Sequence, residues 1–334
     1  MSALPDSALP APPALAGLTW RPLAKTDVPA MARLSLACYQ ADGEQSPQPE
    51  ADFIQIFDFL GDKVAADTLA AFTAAGEIAA LGLPFVLPAG DEQRVNLNGS
   101  VHVAYRGRGL GSFILSWMEA RARQLLADAP AELPKALQMG VRDHQQDRID
   151  LLTAHGFVAD RYFYRMERDL GQPLPERPAP PGLTLAAWNA ELDESMRLAF
   201  NASFRDHYGF IPIDADIWRR FFTGKESFRA DLTPLAMDGD QVVGFCLSTV
   251  DAFRNTQMGR QEGVMEDIGV VRAWRKRGVA SALMAEAMRR YRQAGLEYAM
   301  LSVDTANPTG ALGLYETLGF RAVRRAVNYC KRID

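Results

Sequence analysis

The chain carries one pattern twice, and this constrains its fold more than any other feature. Gly17-Leu18-Thr19 opens one half and Gly182-Leu183-Thr184 the other, 165 positions later. Each half then holds a basic, glycine-containing segment, RGRGLG at 106–111 and RKRGVA at 275–280, 169 positions apart. Each later holds a Gly-Phe pair, Gly156-Phe157 and Gly319-Phe320, 163 apart. Three landmarks in one order, at nearly one offset, point to an internal duplication. Between the copies lies GQPLPERPAPPG at 171–182, whose five prolines forbid a helix or a central strand. It reads as a semi-rigid linker. A long surface loop inside one domain is the alternative, and the repeat stands against it. The expected division is a disordered Ala/Pro-rich tail at 1–16, one domain at 17–170, the linker at 171–182, and a second domain at 183–334.

A chain of 334 residues suits two such domains, and 48% apolar with 23% charged residues is the composition of a globular protein. No apolar stretch approaches the ~18 residues of a membrane span, and the N-terminal residues lack the basic start and apolar run of a secretory signal. Cys38, Cys246 and Cys330 are too few and too scattered for a disulfide framework or a zinc site, and no HxxxH or CxxC spacing occurs. No metal is therefore expected, and a reducing cytoplasm is the expected home. A net charge of −5 gives a nucleic-acid partner no electrostatic help and is compatible with an amine substrate.

Both halves share an order of elements. In the second, apolar strands at 241–250 and 264–271 lead into the basic segment. A helix over 278–293 follows, with Val279, Leu283, Ala287 and Tyr291 at four-residue spacing and Gly295 ending it. A strand at 298–303, a short helix at 309–318 and two final strands complete the half. The first half repeats this with strands near 68–73 and 78–86, a strand into its loop, a helix over 110–127, a strand near 136–141 and a helix near 148–154. Strand, basic loop, helix, strand is a βαβ crossover, so an α/β class is expected.

The loops have the chemistry of a diphosphate site. A helix start exposes unpaired N–H groups and the positive end of its dipole. In the second copy Arg275, Lys276 and Arg277 add charge, and the small residues Gly278 and Ala280, flanking Val279, let a diphosphate approach the backbone. Arg106, Gly107, Arg108, Gly109, Leu110 and Gly111 do the same in the first copy. A charged loop capping an ordinary helix is the plainer alternative. The GK[ST] ending of a Walker loop and the GxGxxG of a dinucleotide site are both absent.

The pattern R-x-x-G-x-G/A, after a strand and opening a helix, resembles the pyrophosphate-binding motif of the GNAT superfamily of N-acetyltransferases. The resemblance spans nearly the whole chain, twice. It is strongest from Glu266 to Phe320, in DIGVVRAWRKRGVASALM and VDTANPTGALGLYETLGF. The tandem arrangement is similar to that of mycothiol synthase-like double acetyltransferases. The resemblance implies two GNAT-like domains, each a mixed, splayed β-sheet flanked by helices. It implies acetyl-CoA as donor, a small-molecule amine as acceptor, and a monomer, the repeat standing in for a dimer. A non-catalytic acetyl-CoA-binding sensor or scaffold is the alternative.

Direct acetyl transfer needs a proton acceptor for the amine, a donor to the thioester carbonyl and an acid for the leaving thiolate. The resemblance puts the carbonyl donor at the Val270 N–H, with Val271 and Ser281 also beside the cofactor, and Val101 as the equivalent of Val270 in the first copy. It makes Tyr315 the acid; a core tyrosine is the alternative. Asn307 becomes a pantetheine contact or a turn residue before Pro308. Glu266 or Asp267 is the base, and consecutive strand residues should point to opposite faces. Glu266 is the first choice, matching where related tandem enzymes carry a base. Asp206 and His207, in FRDHYGF, are candidates for contact with the acceptor. The first copy has Leu152 for Tyr315, His144 for Asn307, and Leu97 and Asn98 for the carboxylates. Catalysis is therefore expected in the second copy alone.

Overall fold

The computed structural model describes residues 8–42, 47–87, 89–205, 210–306 and 310–333. It divides into two compact units, Met1–Asp160 with Val327–Asp334, and Arg161–Ala326. The proline-rich segment 171–182 has neither helix nor strand, as its composition dictates, but it is not where the units divide. Each unit instead takes in a stretch of strand from the other half of the sequence.

The first unit holds β1 (Leu18–Arg21), α1 (Val28–Ala41), α2 (Glu50–Leu60), α3 (Val64–Asp67), β2 (Leu69–Thr73), β3 (Ile78–Val86), β4 (Gln93–Val101), α4 (Leu110–Ala127), β5 (Lys135–Arg142) and α5 (Gln146–Ala154). Strand β6 (Val158–Asp169) runs on into the second unit. There follow β7 (Thr184–Ala187), α6 (Asp193–Phe204), α7 (Ala215–Trp218), β8 (Pro234–Asp238), β9 (Gln241–Thr249), α8 (Ala252–Met258), β10 (Glu262–Val270), α9 (Val279–Gln293), β11 (Tyr298–Asp304) and α10 (Ala311–Thr317). Strand β12 (Arg321–Ile333) ends in the first unit. Where two final strands are expected there is one of 13 residues, because no glycine or proline interrupts it. Pro13 and Leu15, in the expected disordered tail, touch the first unit: Trp20 Nε1 donates to the Pro13 carbonyl at 3.2 Å and Leu15 packs on the core.

The strand order in the first unit is β1-β2-β3-β4-β5 and then β12; in the second it is β6-β11-β10-β9-β8-β7. The strands up to β4, and those from β7 to β10, pair antiparallel with their sequence neighbours. The β4–β5 and β10–β11 pairs are parallel, as crossovers through α4 and α9 require. Alternation along each strand supplies two cores per unit. In β2, Leu69 and Ala71 face the α4 side while Ala70 and Phe72 face α1 and α2. In β8 and β9, Ala236, Val243 and Cys246 face α9, and Leu235, Met237 and Phe245 face α6, a register shift opposite Ala236 and Met237 breaking the alternation of β9 between Val243 and Phe245.

Helix α9 buries the four-residue stripe read from the sequence: Val279, Leu283, Ala287 and Tyr291. The Tyr291 hydroxyl donates to the Val264 carbonyl at 3.0 Å, which satisfies its one polar atom in the core. Gly263 makes room for that ring, since a Cβ there would lie 2.6 Å from Tyr291 Cε2. Gly263→Ala therefore overpacks the α9–β10 contact and is expected to destabilise the fold by about 1–3 kcal/mol. Denaturant unfolding of the two proteins measures the difference.

Candidate active site

Strand β10 meets β11 only at Glu262, Gly263 and Val264, opposite Tyr298, Ala299 and Met300. Beyond that β11 runs on to Asp304 and β10 to Val270 without pairing, so the two strands part. In the first unit β4 and β5 pair from Gln93 to Asn96 and part in the same way. The parting exposes backbone that a closed sheet would consume. The Val271 N–H bonds Val243 O of β9 at 2.9 Å, so antiparallel alternation turns the Val270 N–H and carbonyl away from β9, toward the gap. Val101 stands likewise, its neighbour His102 bonding Ala79 O at 2.9 Å.

The two basic loops have one conformation. Lys276 (φ 59°) and Gly278 (φ 86°) are left-handed, as are Gly107 (φ 73°) and Gly109 (φ 80°) at the matching positions. Successive turns of this kind gather N–H groups into an anion-binding concavity at the start of α9 or α4. Gly278 and Gly109 cap these helices with no side-chain bond, leaving the first-turn N–H groups to a ligand. A Cβ at Gly107, Gly109 or Gly278 would meet nothing within 4 Å, so the approach is open. Val279 is buried under the loop, and Ala280 and Ser281 are half-buried in the first turn. Leu110 and Gly111 match Val279 and Ala280. Lys276 is the one non-glycine among the described residues with positive φ, a conformation that costs roughly 1–2 kcal/mol.

The first arginine of each loop is tied to the backbone. Arg275 donates from Nε to the Val270 carbonyl at 3.2 Å and from a terminal nitrogen to the Ser203 carbonyl at the end of α6, 2.7 Å away. Arg106 donates to the Val101 carbonyl at 3.3 Å and forms an ion pair with Asp42 just past α1, 2.5 Å away. The third cations, Arg277 and Arg108, lie over the Trp274 and Tyr105 rings. Lys276 and Arg277 are exposed at the mouth.

Strand alternation does not separate Glu266 from Asp267. A β-bulge interrupts β10 between Met265 and Asp267, so Met265 faces Ser248, Asp267 faces Leu247, and Glu266 is the extra residue. Both carboxylates consequently line one pocket of about 340 Å³, with Phe200, Phe221, Phe222, Lys225, Leu247 and Thr249. Glu266 is exposed and accepts from Thr249 Oγ1 at 3.3 Å. Asp267 is half-buried, and burial, reinforced by the Glu266 charge and opposed by Lys225, pushes its carboxyl up to about 7. Tyr315, on α10, is half-buried against the same core as Val270 and Val271, its ring centroid 6.3 Å from that of Phe320. Burial pushes its phenol up to about 12, with smaller contributions from Cys246 and Asp267. Asp206, His207 and Asn307 lie outside the described residues. Sequence reading misses Lys225, Thr249 and the three phenylalanines, because nothing local marks residues that converge from α6, the 219–225 segment and β9.

The larger cavity, about 770 Å³, belongs to the first unit and is lined by Val101, Arg106, Gly107, Gly109 and Gly111. The chemistry is nevertheless richer at the smaller pocket. In the first unit β4 keeps regular register, with Leu97 buried and Asn98 opposite Leu83, and Leu152 is buried where the second copy has Tyr315. Among the described residues no group of His, Cys, Asp and Glu is arranged to hold a metal, and no helix is long and apolar enough to cross a membrane.

Residues 192–320 match the acetyltransferase (GNAT) family. A mycothiol acetyltransferase of Thermobispora bispora is 32% identical over 228 residues, 66% of this chain and 70% of the relative. A crystal structure of a GCN5-related N-acetyltransferase from Sphaerobacter thermophilus aligns over 97% of both chains with a TM-score of 0.73 and 27% identity. A tandem GNAT protein from the clavulanic acid biosynthesis pathway shares the fold over 94% of this chain and 98% of its own, with a TM-score of 0.68 and 15% identity.

The raised Asp267 carboxyl has a consequence for stability. An acid whose folded pKa lies above its unfolded value binds more protons when folded, so stability falls as pH rises from the ordinary carboxylate range toward about 7. Asp267→Asn removes the charge while keeping the shape. The variant is expected to be more stable than the parent at pH 8 and to show a weaker fall in stability between pH 5 and pH 8. Denaturant midpoints at the two pH values check both.

Proposed function

The chain belongs to the GNAT family of acetyltransferases, and from that premise we propose that it moves an acetyl group from acetyl-CoA to a primary amine of a small molecule by direct attack, with the chemistry in the second unit. One observation carries this reading: the β10 bulge brings a carboxyl tuned to about 7 into an aromatic-lined pocket in the same unit as an open diphosphate loop and Tyr315. The left-handed loop, the uncapped start of α9 and the exposed Lys276 and Arg277 suit a diphosphate, and the parted strands suit the extended arm of the same molecule. Bound there, acetyl-CoA supplies the activated acyl group.

The chain's own groups do the rest. Asp267 takes the amine proton; a base with pKa near the working pH combines a useful ionised fraction with enough basicity. Glu266, the first choice from sequence, is exposed and engaged by Thr249, and we assign it to holding the incoming ammonium. The Val270 N–H donates to the acyl oxygen as charge gathers there. Tyr315, protonated at any pH below about 12, donates to the departing thiolate. Arg275 positions the loop by gripping the Val270 and Ser203 carbonyls. The aromatic wall of Phe200, Phe221 and Phe222 excludes water from the amine. Relatives named mycothiol acetyltransferase support a small-molecule acceptor. The first unit keeps the loop but has neither carboxylate nor phenol at the positions matching Glu266, Asp267 and Tyr315, and we give it no part in acetyl transfer.

Tyr315→Phe keeps the ring and removes the proton. It is expected to lower kcat by roughly 10- to 10⁴-fold while acetyl-CoA affinity stays within a few-fold. Steady-state thiol release with a panel of amines, read beside melting temperatures, decides this; a full rate takes Tyr315 out of the mechanism, and no turnover in either protein favours a sensor. The parent rate should rise with pH to a plateau above about 7, and Asp267→Asn should lose that inflection along with most of its rate.

Gly278→Glu and Gly109→Glu separate the two loops. The first puts a carboxylate and a strained φ into the proposed diphosphate site and should abolish acetyl-CoA binding there, together with turnover. The second should leave most turnover intact. Calorimetric titration and rate measurements on folded variants check both, and a Gly109 variant that folds without activity overturns the division of labour.

A further inference from the structure

The first unit contains a hydrogen-bonded chain that acetyl transfer does not use. Ser112, in the first turn of α4, has its Oγ 3.1 Å from His155 Nε2. His155 Nδ1 lies 2.9 Å from Glu119 Oε1. An ionised carboxylate only accepts, so Nδ1 carries a proton, and in the neutral ring Nε2 turns its lone pair to the Ser112 hydroxyl. Glu119 is 5% exposed. Lys331 Nζ donates to it at 2.5 Å and Arg123 at 3.3 Å. Burial pushes its carboxyl up, but the bonds from Lys331 and His155 outweigh burial and hold it below the usual carboxylate range.

The duplication supplies an internal control. By the offsets of the repeat, the second copy keeps the serine as Ser281 but has Met288 in place of Glu119 and Leu318 in place of His155, both buried. The fold therefore packs well with two plain apolar residues at these positions. The first copy instead buries a carboxylate, which is costly unless paired, and carries Lys331 and Arg123 to pair it. Packing gives no reason for the exchange; activation of Ser112 does.

The surroundings of Ser112 suit a nucleophile. Its side chain is exposed and lines the 770 Å³ cavity, whose wall includes Ile114, Leu115, Met118 and Met139. It sits in the first turn of an 18-residue helix whose cap provides no side-chain bond, so unpaired backbone N–H groups stand beside Oγ. We propose that Ser112 and His155, with Glu119 orienting the imidazole, form a second, hydrolytic site that cleaves small carboxylic esters. Ser112 Oγ forms a bond to the acyl carbon as the carbon–oxygen bond to the alcohol breaks. The serine proton passes to His155 Nε2 and from there to the departing alkoxide. Water then attacks the acyl-serine, giving its proton to His155, which returns it to Ser112 as the carboxylic acid leaves.

The test uses the full chain, with p-nitrophenyl acetate as substrate and a fluorophosphonate as trap, in the absence of CoA and amine. Peptide mass spectrometry is expected to find the phosphonate on Ser112. Ser112→Ala, an exposed change that threatens no core packing, should abolish labelling and lower ester hydrolysis by about 100-fold or more. His155→Gln should do nearly the same with its melting temperature recorded alongside. Glu119→Gln should lower kcat with little change in KM, since Glu119 orients the base and does not touch the ester. An unlabelled Ser112 in the folded parent overturns the proposal, as does labelling or hydrolysis that is indifferent to His155→Gln.

Discussion

The parting of β10 from β11 is the constraint on which the second unit depends. A parallel pair that stayed closed would spend the Val270 N–H and carbonyl on the ladder. Because pairing stops after Val264, the carbonyl is free for Arg275 and the N–H is free for a ligand. Arg275 then ties the strand end to the Ser203 carbonyl of α6. One side chain thereby fixes the strand, the helix that contributes Phe200 to the carboxylate pocket and the loop that opens α9. Arg106, Val101 and Asp42 form the corresponding tie in the first unit.

The bulge at Glu266 matters as much. A regular β10 would send Glu266 and Asp267 to opposite faces, and one of them would be lost to the pocket. One extra residue puts both on one side, where the Glu266 charge adds to what burial already costs an ionised Asp267. The unit accepts a carboxyl that would be more stable neutral, a local penalty of the kind that reacting groups carry. The first copy has no bulge in β4 and, with Leu97, Asn98 and Leu152, neither carboxylate nor phenol at the matching positions, yet it keeps the splay and the loop. Scaffold and chemistry have separated: backbone geometry is common to both copies, and side-chain chemistry is private to each.

Much of this was legible in order and spacing. The duplication, the helices over 110–127 and 278–293, the strands around them and the two loops follow from periodicity and glycine placement, which act over a few residues. The family resemblance carried by RKRGVA and NPTGALGLYETLGF is borne out by the match over 192–320 and by the relatives. The proline-rich segment was legible as irregular chain but not as a boundary, because domain limits depend on which strands pair, and pairing is non-local.

Local sequence is enough for a doubled α/β chain with two basic, glycine-containing helix starts, since hydrophobic period, turn residues and basic loops are properties of short stretches. It also showed that the first copy lacks the tyrosine and carboxylates of the second. The fold alone sets the β10 bulge, leaves Asp267 less exposed than Glu266, and brings Lys225 and three phenylalanines to the same pocket. Only it joined Ser112, Glu119 and His155, which lie far apart in the chain. Register and burial are set by partners distant in sequence, and a side chain's ionisation follows from what surrounds it, so neither can be read from neighbours along the chain.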